Sequence, residues 1–138
     1  MSNWQQRITS ERITHVEVGQ VFVFGANLAM INGAGAAKFA MKIGAQYGKT
    51  GLVGQTYALP TKPHNLSVSL PLSAIAWHVA AFLACAYQHP ELTFLVTEVG
   101  CGLAGYQPEQ IAPLFVHAID LPNVHLPARF WQVLAPHL

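Results

Sequence analysis

Apolar and polar positions fall into short blocks whose period changes repeatedly along the chain. After a turn at His15 to Gly19, the block Gln20 to Gly25 holds Val21-Phe22-Val23-Phe24, apolar on both faces like an interior strand of a parallel sheet. From Gly33 to about Tyr47, small residues on one side and Lys38, Lys42 and Gln46 at i, i+4, i+8 predict a helix. Three glycines between Gly48 and Gly54 predict a loop, and Thr56 to Leu59 a short strand stopped by Pro60. Pro71 fits the first turn of a long helix to about Gln88, with Ser69 as its N-cap. That helix is apolar nearly all round, so burial on more than one side is expected. Leu92 to Thr97 reads as another strand apolar on both faces. Pro108 opens a helix with Glu109 in its first turn. Asn123 to Leu126 gives a last strand and Pro127 to Leu134 a terminal helix or turn. The alternation predicts one α/β domain over residues 1–138, with a mostly parallel central sheet and a polar lead over 1–12.

Composition narrows the classes. Apolar residues make up 52% and charged residues 9%, the reverse of a disordered chain. So little charge predicts apolar surface covered by another copy, hence a homo-oligomer. The nearest membrane-span candidate, Ile75 to Tyr87, is shorter than the ~18–20 residues required, so no membrane partner is expected. The polar N-terminus lacks a signal-peptide pattern, and a cytoplasmic setting is expected. A net charge of +1, with basic residues scattered, gives no footprint for duplex nucleic acid. Cys85 and Cys101 lack metal-ligand spacing, and the seven histidines form no HxH or HExxH pattern. Neither a metal nor a cofactor is expected.

The candidate chemistry lies in two glycine-bearing loops, each following a strand. In the first, Gly25, Gly33 and Gly35 flank Ala26, Asn27, Ala34 and Ala36, a make that lets backbone N–H groups approach a phosphate. The spacing is neither that of a Walker A loop nor the three-glycine Rossmann fingerprint. In the second, Gly100, Gly102 and Gly105 bracket Cys101, Leu103 and Ala104, with Tyr106 at the rim. Both loops sit at the carboxyl ends of strands, where open α/β sheets bind ligands. Thr61 and Lys62 end the strand between them in sequence, and Lys62 offers a point charge for a phosphate. Glu98, a carboxylate ending an apolar strand, is either a general base or ribose acceptor, or a cap for the loop's own N–H groups. The bland alternative for the rest is tight-packing glycines, a solvated lysine and a covering tyrosine. Cys101 has no histidine partner in the sequence pattern to make it a nucleophile.

The Asn-containing loop leading into Gly33-Ala34-Gly35-Ala36-Ala37, together with Gly100-Cys101-Gly102-Leu103-Ala104-Gly105-Tyr106, resembles the two ligand loops of macro domains. Val21–Leu28, Gly33–Ala40, Ala58–Lys62 and Gly100–Pro113 are similar to a group of small, uncharacterised phage and prophage proteins of macro-like type. The resemblance implies a three-layer α/β/α domain that binds an ADP-ribose-like nucleotide, sometimes hydrolysing an ADP-ribosyl linkage. A phage origin would place it in the bacterial host cytoplasm. Carried over, Asn27 would hold the distal ribose, Gly33 to Ala36 the first phosphate position and Gly100 to Tyr106 the second. As a hydrolase it would use Asn27 to orient the ribose and Glu98 to assist a water. Two departures stand out. Macro domains often place an aspartate near the first strand to hold adenine, whereas the first aspartate here is Asp120. Met30-Ile31-Asn32 also replaces a more polar Gly-Arg-His stretch. The lost charge favours a non-enzymatic binder or sequestering protein for a nucleotide signal. A third reading is a structural protein with an apolar oligomer interface.

Overall fold

The computed structural model describes residues 3–27, 35–46, 49–63, 68–102 and 104–138. Its strands are β1 (Ile8–Thr9), β2 (Gln20–Asn27), β3 (Gly51–Val53), β4 (Thr56–Lys62), β5 (Thr93–Val96) and β6 (Val124–Pro127). Its helices are α1 (Gly35–Lys42), α2 (Leu72–Gln88), α3 (Pro108–Ile111) and α4 (Ala128–Leu134), with a 3-10 helix over Ala112–Asp120. One six-stranded sheet runs β1-β6-β5-β2-β4-β3, parallel throughout except for the antiparallel β3–β4 pair. This is the α/β class with a mostly parallel sheet that the alternation predicts.

The period-2 geometry of β2 explains its unbroken apolar run, because each face enters a different core. Val21 and Val23 join Tyr57, Leu59, Phe94, Val96, Val124 and Leu126 beneath α2, α3, the 3-10 helix and α4. Phe22, Phe24 and Ala26 join Ala58 beneath α1, with Ile13 and Val16 packed alongside. In β5 the burial alternates instead, with Phe94 and Val96 buried and Leu95 half-buried, so only one face reaches the large core.

Several predicted boundaries shift, each for a local reason. The Gly48–Gly54 loop contains a strand: Gly51 to Val53 pair with β4 across the Gly54-Gln55 turn. Pro60 does not stop β4 but lies inside it, opposite Ala26. Strand β3 ends at Gly51, opposite Ala58, so proline interrupts no ladder on that side. Helix α1 ends at Lys42, short of Tyr47, and Ile43-Gly44 turn the chain, Gly44 with φ +123°. Ser69 does not cap α2: its hydroxyl donates to Ala104 O, and Pro71 occupies the cap position. Helix α2 is also not buried on all sides. Ile75, Val79, Phe82, Leu83 and Ala86 face the core, while Trp77 and Tyr87 are 77% and 75% exposed.

The polar lead contains the largest surprise. Arg7 is buried and its guanidinium donates to the carbonyls of Ala118, Ile119, Leu121 and Val124 at 2.7–3.1 Å. It lies 5.0 Å over the Trp131 ring, whose Nε1 donates to Arg7 O at 2.7 Å. A cation thus satisfies carbonyls at the C-terminal end of the 3-10 helix, where negative dipole charge collects. No described helix is long and apolar enough to cross a membrane.

Tyr57 stands edge-on to Phe82 at 5.0 Å, and burial, then the charge of Cys85, pushes its phenol up to about 12. A raised acid favours the protonated native state. Its contribution is therefore present below the ordinary value of 10 and lost as pH climbs through 12. Melting temperatures measured from pH 8 to 12 are expected to fall more steeply above pH 10 for the wild type than for Tyr57→Phe. Equal slopes would contradict this.

Candidate functional site

Parallel strands finish on one sheet edge, so the segments after β1, β2, β4, β5 and β6 share that edge. Within it the predicted segments meet. A Cβ on Gly25 would stand 3.3 Å from Thr61 Oγ1 and 3.6 Å from Gly100 N. That atom would be tight against the Thr61 side chain and in ordinary contact with Gly100 N, so glycine eases the approach of β2 to β4 beside the loop after β5. Gly100 is buried with φ +77°, and a Cβ there would lie 2.9 Å from Ile111 Cδ1.

The second loop is held by its own backbone. Val99 N–H donates to Thr97 O, Cys101 N–H to Glu98 O, Gly105 N–H to Gly102 O and Tyr106 N–H to Gly100 O, at 2.7–3.1 Å. Thr97 ties the loop to β2 by donating from N and Oγ1 to Val23 O. Among the described residues of this loop, the N–H groups of Glu98, Gly100, Gly102 and Ala104 donate to no described backbone carbonyl. Of these residues Gly102 is exposed and Gly100 buried, so the N–H of Gly102 is the one most open to an anion. The space beside Gly102 is open, with nothing within 4 Å of a Cβ placed there.

Some predicted ligand residues are engaged elsewhere. Thr61 is 4% exposed and its hydroxyl donates to Ala26 O, so its side chain is a strut between β4 and β2. Ala26 is itself buried in the smaller core. The Tyr106 phenol donates to Leu70 O at 2.7 Å, and Ser69 Oγ to Ala104 O, strapping the segment before α2 onto the loop. Asn27 and Lys62 pair in register at the end of β2 and β4, both half-buried and both with interactions of their own. Gly35 opens α1 and Ala36 is exposed in its first turn. Gly33, Ala34 and Leu103, like Met30-Ile31-Asn32, lie outside the described residues.

Glu98 has a partner that periodicity does not reveal. Arg129 donates from Nε to Oε2 at 2.6 Å and from a terminal nitrogen to Oε1, a bidentate pair. The hydrogen bonds and charge of Glu98 push Arg129 above its ordinary value. The pair stands on the wall of a cleft of about 390 Å³, lined also by Thr9, Ser10, Glu11, Thr97, Pro127 and Ala128. Asn27 is not among those lining residues, so the two predicted catalytic side chains do not share this cleft. Thr9 is 4% exposed, and its Oγ1 is the buried side-chain oxygen without a hydrogen-bond partner among the described residues. Cys101 is an unpromising nucleophile. Burial first, then Glu98 and Glu109 against Arg129, push its thiol up to about 11, leaving it protonated at neutral pH.

Pattern reading missed Thr9, Ser10, Glu11 and Arg129. A two-residue strand has no period to detect, and Arg129 meets Glu98 only through the β5–β6 pairing. Among the described residues, no three His, Cys, Asp or Glu side chains gather as metal ligands would. No family model, no curated protein and no solved structure matches this chain, and its site therefore rests on geometry and chemistry alone.

Proposed function

We propose that this domain binds an ADP-ribose-like nucleotide along the carboxyl edge of its sheet, in a three-layer macro-like fold. The approach of Gly25 to Gly100 over Thr61 is the observation that carries the reading, because it sets the end of β2, from which the first loop departs, beside the second glycine loop. The diphosphate lies against the loop after β5, with the N–H of Gly102 as its most open donor. Asn27 stands at the distal ribose. The base end occupies the cleft beyond β1, and Glu11 there supplies the acid that the resemblance implies near the first strand. The volume of that cleft, about 390 Å³, suits a base and its ribose.

Binding without turnover is the form we favour. Glu98, the expected base, pairs with Arg129 in a cleft that Asn27 does not line, so its carboxylate is not set beside the ribose that Asn27 would hold. ADP-ribose, its cyclic isomers, NAD and nucleoside monophosphates are the panel to screen by thermal shift. At 100 times Kd, a bound ligand stabilises the native state by about 2.7 kcal/mol, which raises Tm by about 10 °C in a domain this size. Gly102→Val is expected to leave the unliganded Tm within about 1 °C, since its side chain enters open space, and to remove most of the shift. Chromatography of the incubated ligand should return it intact; release of product would restore the hydrolase reading.

A further inference from the structure

We infer that the exposed face of α2 is a two-fold interface, where a second copy of this chain packs its own α2 antiparallel. Ser73, Trp77, Ala80, Ala81, Ala84, Tyr87 and Gln88 are the exposed residues of this helix after its first position, and they recur at helical spacing on a single stripe. Two large rings there, Trp77 and Tyr87, are 77% and 75% exposed. Three alanines between them form a flat floor, so the helix backbones can approach closely. Core-facing Ile75, Val79, Phe82 and Ala86 account for the opposite side, and they give the outer stripe no reason to be apolar.

The stripe suits its own copy more than an unrelated surface. Trp77 and Tyr87 lie five residues either side of position 82, and Ala80 and Ala84 two residues either side. A two-fold axis at that position sets each Trp77 against the Tyr87 of the copy and each Ala80 against Ala84. Such isologous matching is what a closed dimer requires. From Pro63 to Pro90 the chain has no Lys, Arg, Asp or Glu, so two identical faces meet without charge repulsion. Four rings at ~150 Å² or more each, with the alanine rows between, bury about 1,000 Å² in total. That reaches the lower limit of a specific interface and predicts a weak dimer whose population rises with concentration.

Sedimentation velocity from about 2 to about 200 µM tests this over the relevant range. The wild type is expected to pass from monomer to dimer. Trp77→Lys and Tyr87→Glu, both at exposed positions, should each weaken the dimer at least about tenfold, an effect of about 1.4 kcal/mol. The double variant Trp77→Lys, Tyr87→Glu should regain dimer, because antiparallel packing sets each new lysine against a new glutamate. Far-ultraviolet circular dichroism checks that every variant is folded. A wild type monomeric at the highest concentration, a dimer indifferent to both single changes, or a double change that restores nothing would each overturn the inference.

Discussion

Replacing Arg7 with alanine is expected to destabilise the fold by about 4 kcal/mol, lowering Tm by about 15 °C. The guanidinium serves four carbonyl oxygens, of Ala118, Ile119, Leu121 and Val124, in a place largely closed to water. Removing it leaves those acceptors short of donors and opens a void beside Trp131, where the cation now stacks. Burial lowers the Arg7 pKa and Asp120 opposes that, yet an arginine keeps its charge at every pH where the protein is folded. The effect should therefore persist across neutral pH. Arg7→Lys is expected to recover less than half of the loss, because one ammonium lacks the planar fork that reaches both the 3-10 helix end and β6. Urea unfolding monitored by tryptophan fluorescence measures all three proteins. A loss below about 1 kcal/mol for Arg7→Ala, typical of a surface change, would contradict the buried-cap account.

Gly100→Ala should cost about 2–4 kcal/mol by two separable causes. The first is backbone strain, since φ +77° places an alanine in the left-handed region. The second is contact, since its Cβ would lie 2.9 Å from Cδ1 and 3.3 Å from Cγ1 of the fully buried Ile111. Ile111→Val removes Cδ1 and lets the two be resolved in a double-mutant cycle. The double variant is expected to be more stable than the sum of the single losses by about 1 kcal/mol. Simple additivity would mean that strain accounts for the whole cost. The position couples the loop to α3, so a loosened Gly100 should also degrade any ligand site built on that loop.

The elements readable in the sequence are those whose pattern is local. Strand β2 declares itself because both its faces are buried, and Pro108 and Pro127 mark helix starts from their own geometry. Strand β3 is hidden by glycines, because its two apolar residues are too few to outweigh the turn composition around them. Pro60 reads as a stop because its tolerance depends on where a neighbouring strand ends. The wholly apolar α2 conceals which side meets the core, and only its placement leaves Trp77 and Tyr87 outside. Among site residues, Gly25, Thr61 and Gly100 converge as the strand–loop pattern suggests. Thr61 proves to brace β4 against β2, and Tyr106 to tie the second loop to the segment before α2, each through its hydroxyl. Glu98 looks anomalous alone, and its partner Arg129 lies 31 residues away. Arg7, likewise, is explained only by carbonyls more than a hundred residues later.

Isothermal titration of the wild type and Asn27→Ala with ADP-ribose tests the nucleotide-binding account most directly. Asn27 ends β2 opposite Lys62 of β4 and does not line the cleft that holds Glu98 and Arg129. The account predicts saturable one-to-one binding to the wild type and at least about a hundredfold weaker binding to the variant, a loss of about 2.7 kcal/mol. No heat of binding to the folded wild type at millimolar ligand, or equal affinity in Asn27→Ala, would contradict it.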